Sequence, residues 1–551
     1  MCGFWGLIQQ TPILNDINIR SFNSIKNRGP ESSIICVSNN YIVGFHRLAI
    51  NDISVNGNQP FYYSDDIYNY ILMANGEIYN HNDLRERYNI ITTSNSDCAI
   101  LLPLFINLGE NFELFNNELR GEYALLIIKQ DKITNELYYY ASTDPLSVRP
   151  LFYFNDNDNN INSIGFSSLL SGLSELSDKV YRLDQGSMII GKIDFNNDVN
   201  DMSISSFINN DNYKMSDELD LNVLYSKIVS TLIESVSLRL ESDRPIGCLL
   251  SGGLDSSLIA AIASQELKKR GERLKTFSIG MDDGTDILYA RLVAQHIDSD
   301  HTEFIFTMEE GLMIIDDVLN ATETYDITTV RASVGQYLLA KNIAEKTDIK
   351  VLLNGDGADE AQMGYLYFYL HPSLEEAELE RNKLLNHIHL FDGLRVDRNL
   401  SYHGLEARVP FLDKEFVNLF KSIPTQFLVP TKDKMEKYLI RKAFETIMPN
   451  LLPNKILWRR KEAFSDGISS KEKSWFMIVK EYYNNLITDD EWDRSKCLNT
   501  DDTFSSVCKE SYYYKKKFIE LFGKNTRVIP YYWLANWSNS IDPSARTLTF
   551  Y

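Results

Sequence analysis

Ile246-Gly247-Cys248-Leu249-Leu250-Ser251-Gly252-Gly253-Leu254-Asp255-Ser256-Ser257 is an apolar run that ends in two glycines set among hydroxyls. The apolar part has the length of a buried strand, and Asp255–Lys269 continues at helical spacing. A strand that delivers a glycine turn onto a helix N-terminus makes an anion cradle, because bare backbone N–H groups can approach the ligand closely. Ser251, Ser256 and Ser257 add hydroxyl donors. The lysine of G-x-x-x-x-G-K-[ST] is missing, which points to a pyrophosphate ligand and away from γ-phosphate transfer. Asp255 is placed to hold Mg²⁺ against that pyrophosphate.

Outward from this loop, Asn222–Leu240 reads as a helix, and Leu274–Gly280 and Lys350–Leu353 as strands between helices. Alternating elements predict an α/β fold for 221–551, a doubly wound, mainly parallel sheet with additional helices. Residues 1–195 read differently. Short runs such as Tyr41–Ile50, Asn69–Ala74, Ala124–Ile128 and Leu137–Ser142, parted by turn clusters, predict an α+β domain built on an antiparallel two-sheet sandwich flanked by helices. The Asn- and Asp-rich stretch 196–220 lacks periodicity and is expected to be a linker.

At 551 residues the chain is too long for one core. With 55 basic against 76 acidic residues the net charge is −21, which argues against nucleic acid as a partner. No run of about 18 apolar residues can span a bilayer, and no secretory signal opens the chain, so a cytoplasmic protein without a membrane partner is expected. The six cysteines form no C-x-x-C pair, and the eight histidines form no zinc motif. Cys2 follows Met1 and precedes a glycine. Removal of Met1 leaves an α-amine with a reference pKa of about 8 that can accept the thiol proton, so one residue supplies nucleophile and base. Taken alone, Cys2 reads better as an incidental thiol at a frayed terminus.

The order of the remaining motifs decides between these readings. Ser251–Ser257 resembles the pyrophosphate loop of enzymes that adenylate their substrates, and Asn354-Gly355-Asp356-Gly357-Ala358-Asp359-Glu360 resembles the S-G-E-G-S-D-E loop of asparagine synthetases. Glu323–Ser333, Gly404–Asp413 and Arg460–Gly467 are similar to further stretches of that family. So are Arg28-Gly29-Pro30-Glu31, Arg47–Asn51, Gln59-Pro60-Phe61, Asn75–Asn80 and Ser96-Asp97-Cys98 of its glutaminase half. The resemblance implies an N-terminal nucleophile hydrolase type of fold over 1–195 and an ATP-pyrophosphatase-like domain over 221–551. Its cofactors would be ATP and Mg²⁺, and its substrates glutamine and aspartate. It is compatible with a homodimer.

By the same resemblance, Cys2 is the nucleophile, Asn75 and Gly76 form the oxyanion hole, and Arg47, Leu48, Ala49, Ile50, Asn51, Glu77 and Asp97 bind glutamine. Leu249, Ser251, Gly252, Gly253, Asp255, Ser256, Ile279, Asn354 and Gly355 bind ATP and pyrophosphate. Thr328, Thr329 and Arg331 bind aspartate, Arg331 as a fork on a carboxylate. Lys461 faces the charge developing at the α-phosphate, and Asp255 and Asp359 share the metal. The family also implies a protected path for ammonia, which bulk water would protonate.

Several residues depart from the family pattern. Asp356 stands for a glutamate, one methylene shorter, at a step sensitive to reach. Asn354 and Ala358 replace serines, Thr143 replaces an arginine, Ser147 a glycine, and Ser168 a glutamate. Two rival readings stay open: a synthetase of this architecture acting on another carboxylate, which a substrate screen separates, and a catalytically weakened regulatory homologue, which an activity assay separates.

Overall fold

The computed structural model describes residues 1–156, 163–195, 199–208, 215–216, 218–462, 464–469, 473–497 and 505–538. The chain divides into two compact units, residues 1–210 with 401–405 and 519–528, and the remainder.

The first unit contains β1 (Gly3–Gln9), β2 (Ser32–Val37), β3 (Tyr41–Arg47), β4 (Phe61–Ser64), β5 (Tyr68–Ile78) and β6 (Gly121–Asp131). It continues with β7 (Leu137–Thr143), β8 (Phe152–Asp156), β9 (Ser163–Ser167), β10 (Tyr181–Arg182), β11 (Ser187–Asp194) and β12 (Val199–Ser206). They form two six-stranded sheets, ordered β10-β8-β9-β1-β3-β2 and β12-β11-β7-β6-β5-β4, paired antiparallel. Side chains alternate across each strand, so one sheet supplies Phe4, Ile8, Val43 and Phe45 to the layer between the sheets, and the other supplies Met73, Leu126, Ile128 and Ile189. The opposite face of the second sheet, with Leu72, Ala74, Leu125 and Ile127, is covered through Leu101, Leu104, Phe105 and Phe115 of helices Leu101–Asn107 and Phe112–Glu118. The predicted sandwich is therefore present, with one boundary corrected. Part of the stretch expected to be a linker is β12, an edge strand paired along its length with β11. Its polar residues suit an edge whose outer side meets water. Positions 196–198, 209–214 and 217 of that stretch lie outside the described residues.

His46 on β3 carries a pH signature. It is fully buried, stacked on Phe22 at 3.8 Å, with Nδ1 2.7 Å from Ser33 Oγ and Nε2 3.0 Å from the Phe22 carbonyl. Burial pulls its pKa from 6.5 to about 4 against the opposing pull of the Phe22 carbonyl. The neutral ring is the one the fold accepts, so its stabilisation is complete above pH 6.5 and is lost as the pH falls through about 4. Denaturant midpoints measured from pH 7 to 4 are expected to fall more steeply in the wild type than in His46→Gln, which cannot take up a proton. Parallel curves would remove His46 from the acid response.

The second unit carries β13 (Ile246–Leu249), β14 (Lys275–Gly280), β15 (Asp300–Ile305), β16 (Val351–Leu353) and β17 (Glu406–Arg408). The sheet is wholly parallel in the order β15-β14-β13-β16-β17, with helices Leu254–Lys269, Thr285–Ile297 and Ile327–Lys346 interleaved along the chain. Chain direction across the sheet reverses between β13 and β16, and a doubly wound sheet opens its ligand crevice at that point, beyond the strands' carboxyl ends. The glycine loops after β13 and β16 both emerge there. No described helix is long and apolar enough to cross a membrane.

Candidate functional site

In the first unit, Cys2 precedes β1, whose Gly3 pairs with His46, so the thiol lies at the exit of β3 with Sγ 3.5 Å from the Leu48 carbonyl. The Cys2 carbonyl accepts from Nε of the fully buried Arg28 at 2.9 Å. Met1 is buried, and its sulfur accepts from Arg149. With Met1 attached, the Cys2 nitrogen is a peptide amide.

Arg47 ends β3 and is 6% exposed. Its guanidinium donates to Ser54 O at 2.7 Å, to Asn58 Oδ1 at 2.6 Å and to the Asp52 carbonyl. All three acceptors are neutral, so the loop fixes the cation without cancelling its charge. Leu48, Ala49 and Ile50 are buried; Glu31 Oε2 holds the segment by accepting from Ala49 N at 2.8 Å. Asn51 Nδ2 donates to Glu77 Oε2 at 2.6 Å.

Asn75 stands on β5 with both side-chain polar atoms buried and, among the described residues, without a hydrogen-bond partner. A buried amide in that state costs on the order of 2 kcal/mol, which a hydrogen-bonding ligand would recover. Gly76 follows with φ of +155°, and an added Cβ would lie 2.1 Å from the Glu122 carbonyl, so only glycine fits. Gln59, which sequence reasoning quoted without a role, clamps Ala74 through both its amide atoms, at 3.0 and 2.7 Å, immediately before Asn75. Asp97 Oδ2 accepts from Ile78 N at 2.7 Å. The Cys98 thiol is raised well above its usual range by burial and then by the charges of Asp97, Glu77 and Cys2, which share its surroundings. One neighbourhood thus holds a thiol, a neutral-caged arginine, two carboxylates and an unpartnered amide.

In the second unit, every residue assigned from sequence to ATP, aspartate, metal or chemistry lines one cavity, Gly252 excepted. Gly252 backs the wall with φ of +73°, where an added Cβ would sit 2.4 Å from Ala290 N. Ser251 and Ser256 hydroxyls lie 3.0 Å apart, and Gly253 caps the helix without a side-chain bond, leaving first-turn N–H groups to an anion.

The expected metal pair holds an ammonium between its members. Lys437 Nζ lies 2.5 Å from Asp255 Oδ2 and 2.5 Å from Asp359 Oδ1, and Lys461 takes the other Asp359 oxygen. Burial alone would raise Asp359, but Lys437 and Lys461 outweigh it and hold the carboxyl below its usual range. Burial disfavours the charged Lys461, and Asp359 and Asp255 reverse that. Among the described residues Asp255 Oδ1 is buried without a hydrogen-bond partner, a fitting donor for a divalent cation. Among the described residues no three His, Cys, Asp or Glu side chains gather for a metal. Magnesium would therefore complete its shell with phosphate oxygens and water.

Asp356 accepts from Arg395 Nη2 at 2.8 Å, and Arg395 Nη1 lies 2.8 Å from Asp392. Burial pushes Asp356 up, Arg395 opposes it, and Asp392 adds to the rise. The Tyr365 hydroxyl reaches Glu360 Oε1 at 2.6 Å and Asp392 Oδ2 at 2.5 Å. Burial pushes the Glu360 carboxyl well above its usual value, and the neighbouring Asp392 charge adds to the rise.

Three expected aspartate ligands are occupied within the protein. Thr329 Oγ1 and N both donate to Asp326 Oδ2 at 2.8 Å, capping helix Ile327–Lys346. Thr328 Oγ1 donates to Trp533 O at 3.3 Å. Arg331 forks, but onto Glu510: Nε donates to Oε1 at 2.8 Å and Nη2 to Oε2.

Residues 1–205 match a glutamine amidotransferase domain, and 227–386 with 383–543 match asparagine synthase. The chain belongs to the asparagine synthase family. It is 38% identical to the glutamine-hydrolyzing asparagine synthetases of Bos taurus, Gallus gallus and Homo sapiens, over 100% of this chain and 99% of each relative. Asparagine synthases are ATP-using ligases, and this member carries both the amidotransferase and the synthase domain. Its Ser147 adopts φ of +50°, a left-handed conformation that costs a non-glycine residue about 1 kcal/mol. Sequence reasoning missed Lys437, Arg395, Asp392, Tyr365 and Glu510. Only Tyr365, in Gly364-Tyr365-Leu366-Tyr367, sits close enough to a recognised motif to have been found.

Proposed function

We propose that this asparagine synthase makes asparagine from aspartate, with glutamine as nitrogen donor, and that its two sites work as follows. Removal of Met1 frees the Cys2 amine to take the thiol proton. Cys2 Sγ attacks the glutamine amide carbon while Arg47 holds the α-carboxylate and Glu77, Asp97 and Asn51 the α-amine. The Asn75 amide and Gly76 N–H stabilise the oxyanion, ammonia leaves, and water cleaves the thioester to glutamate.

At the second site the first-turn N–H groups and hydroxyls of 251–257 hold the pyrophosphate of ATP, Leu249 and Ile279 flank the nucleoside, and Lys461 meets the charge that develops at the α-phosphorus. Asp255, through its unpartnered Oδ1, with Asp359 beside it, would hold Mg²⁺, which would supply charge neutralisation to the pyrophosphate. The aspartate side-chain carboxylate attacks the α-phosphorus and pyrophosphate departs, leaving β-aspartyl-AMP. Ammonia then attacks the acyl carbon, AMP leaves with the C–O bond pair, and Asp356, raised toward neutrality, takes the surplus proton. The same reading makes the protein a cytoplasmic enzyme, as a single chain or a homodimer.

The observation that carries this reading is the convergence of four distant segments, 249–256, 328–331, 354–359 and Lys461, on one cavity. Purified enzyme given aspartate, ATP and Mg²⁺ is expected to yield asparagine and AMP with either glutamine or ammonium as donor. ADP in place of AMP, or preference for a different carboxylate acceptor, overturns it.

A further inference from the structure

Glu510 is the second residue of helix Lys509–Phe522 and is 1% exposed. Its carboxylate meets the Nε/Nη2 edge of Arg331 in a two-bond fork. Arg331 itself lines the cavity, and Glu510 does not. Two aromatic residues hold Arg331 further, one at its guanidinium and one at its main chain. Phe476, also on the cavity wall, lies against its face with the ring centroid 4.4 Å from Cζ. Trp475, fully buried, donates Nε1 to the Arg331 carbonyl at 3.1 Å and anchors the turn that carries the arginine. Tyr514 packs one turn beyond Glu510, and its phenol is pushed up by burial and then by the Glu510 charge.

A side-on fork uses two of the five guanidinium N–H groups and fixes the plane of the guanidinium. It also opposes a charge that would otherwise be costly at 7% exposure. Arg331 therefore meets the cavity it lines in a set orientation and with its charge countered by Glu510. A carboxylate arriving there is recognised by geometry more than by long-range attraction.

We infer that Glu510 is a positioning residue for the acceptor amino acid: it orients Arg331 toward the substrate carboxylate and thereby sets the affinity for aspartate. This rests on the assignment of the cavity to aspartate and ATP made above. The inference predicts that the 509–522 helix, 179 residues away in sequence from Arg331, contributes to acceptor selection without touching the acceptor.

Steady-state kinetics of Glu510→Gln test it. The variant keeps the shape and loses the charge and one acceptor, so the Arg331 plane is released. The KM for aspartate is expected to rise at least tenfold, with kcat at saturating aspartate and the KM for ATP within about twofold of wild type. Glu510→Asp, which keeps the charge on a shorter arm, should fall between. In the double variant Arg331→Gln/Glu510→Gln, the KM should be no worse than in Arg331→Gln alone, because the second change acts only through the first. An aspartate KM that is unchanged or lowered in Glu510→Gln overturns the inference, as does additivity in the double variant. Should Glu510→Gln fail to fold, the aspartate-to-ATP split in Glu510→Asp decides in its place. Wild-type enzyme that makes no asparagine would instead sink the functional assignment, so the two failures are distinguishable.

Discussion

Cys2→Ala is expected to abolish asparagine formation from glutamine and to leave formation from ammonium within about twofold of wild type. Loss of a nucleophile costs on the order of 10⁶-fold in enzymes whose intermediate is covalent, and no neighbour can take its place. Cys98 shares the surroundings, but burial with Asp97 and Glu77 holds its proton firmly, so it supplies no thiolate near pH 7. The fold should tolerate the change. Cys2 is partly exposed, and its sulfur lies 3.5 Å from the Leu48 carbonyl, a weak contact, while the Arg28 bond goes to its main-chain oxygen and survives. Glutamate release, and asparagine from each donor, are the readouts. Loss of the ammonium reaction as well would show that the two units do not divide the labour, and retained glutaminase activity would remove Cys2 from the chemistry.

The parts legible in the sequence were those in which local chemistry and local structure coincide. A glycine turn after an apolar run, as at 251–257 and 354–360, is both a motif and a strand-to-helix transition, so its place in the cavity followed from the pattern. β1 was not legible as a strand. Both its faces are buried, Trp5 and Leu7 on one and Phe4 and Ile8 on the other, which erases the alternation that marks a half-exposed strand. β12 failed for the opposite reason, since Val199–Ser206 is polar enough to pass for a connection. β17 is three residues long, and its charged ends, Glu406 and Arg408, pair with each other in the interior at 2.9 Å. Two of the site residues that escaped, Lys437 and Glu510, have their partners far away in sequence, whereas Arg395 with Asp392 and Tyr365 with Glu360 are local pairs. Lys437 lies among Lys432, Lys434 and Lys442, a composition that reads as a solvated face, yet it is 3% exposed with φ of +57°. Its approach to Asp359 requires Gly364, where an added Cβ would stand 2.2 Å from the lysine Cε. Nothing within ten residues of position 437 announces that arrangement.

Lys437 and Lys461 both pair with Asp359, and their alanine variants are expected to fail in different ways. Lys461 is one-fifth exposed at the cavity wall and contacts one carboxylate. Lys461→Ala removes a donor aimed at developing charge, which typically lowers kcat by about 10²- to 10³-fold. Asp359 keeps Lys437, so thermal unfolding should shift little. Lys437 is 2% exposed in its side chain and holds Asp255 and Asp359 at once. Lys437→Ala leaves the part-buried Asp255 without its cation and Asp359 with Lys461 alone, a change worth on the order of 2 kcal/mol against the fold. The second unit should then melt at a clearly lower temperature, and activity should vanish with it. Glutaminase turnover measured on the same samples reports the first unit and separates a local defect from general misfolding. If Lys437→Ala melts like the wild type and Lys461→Ala does not, the assignment is reversed: Lys461 is then the structural cation and Lys437 the one that meets the substrate. The present geometry argues for the first arrangement, because the buried ammonium of Lys437 bridges two aspartates at once, and the one at the cavity wall can follow a phosphate as it leaves.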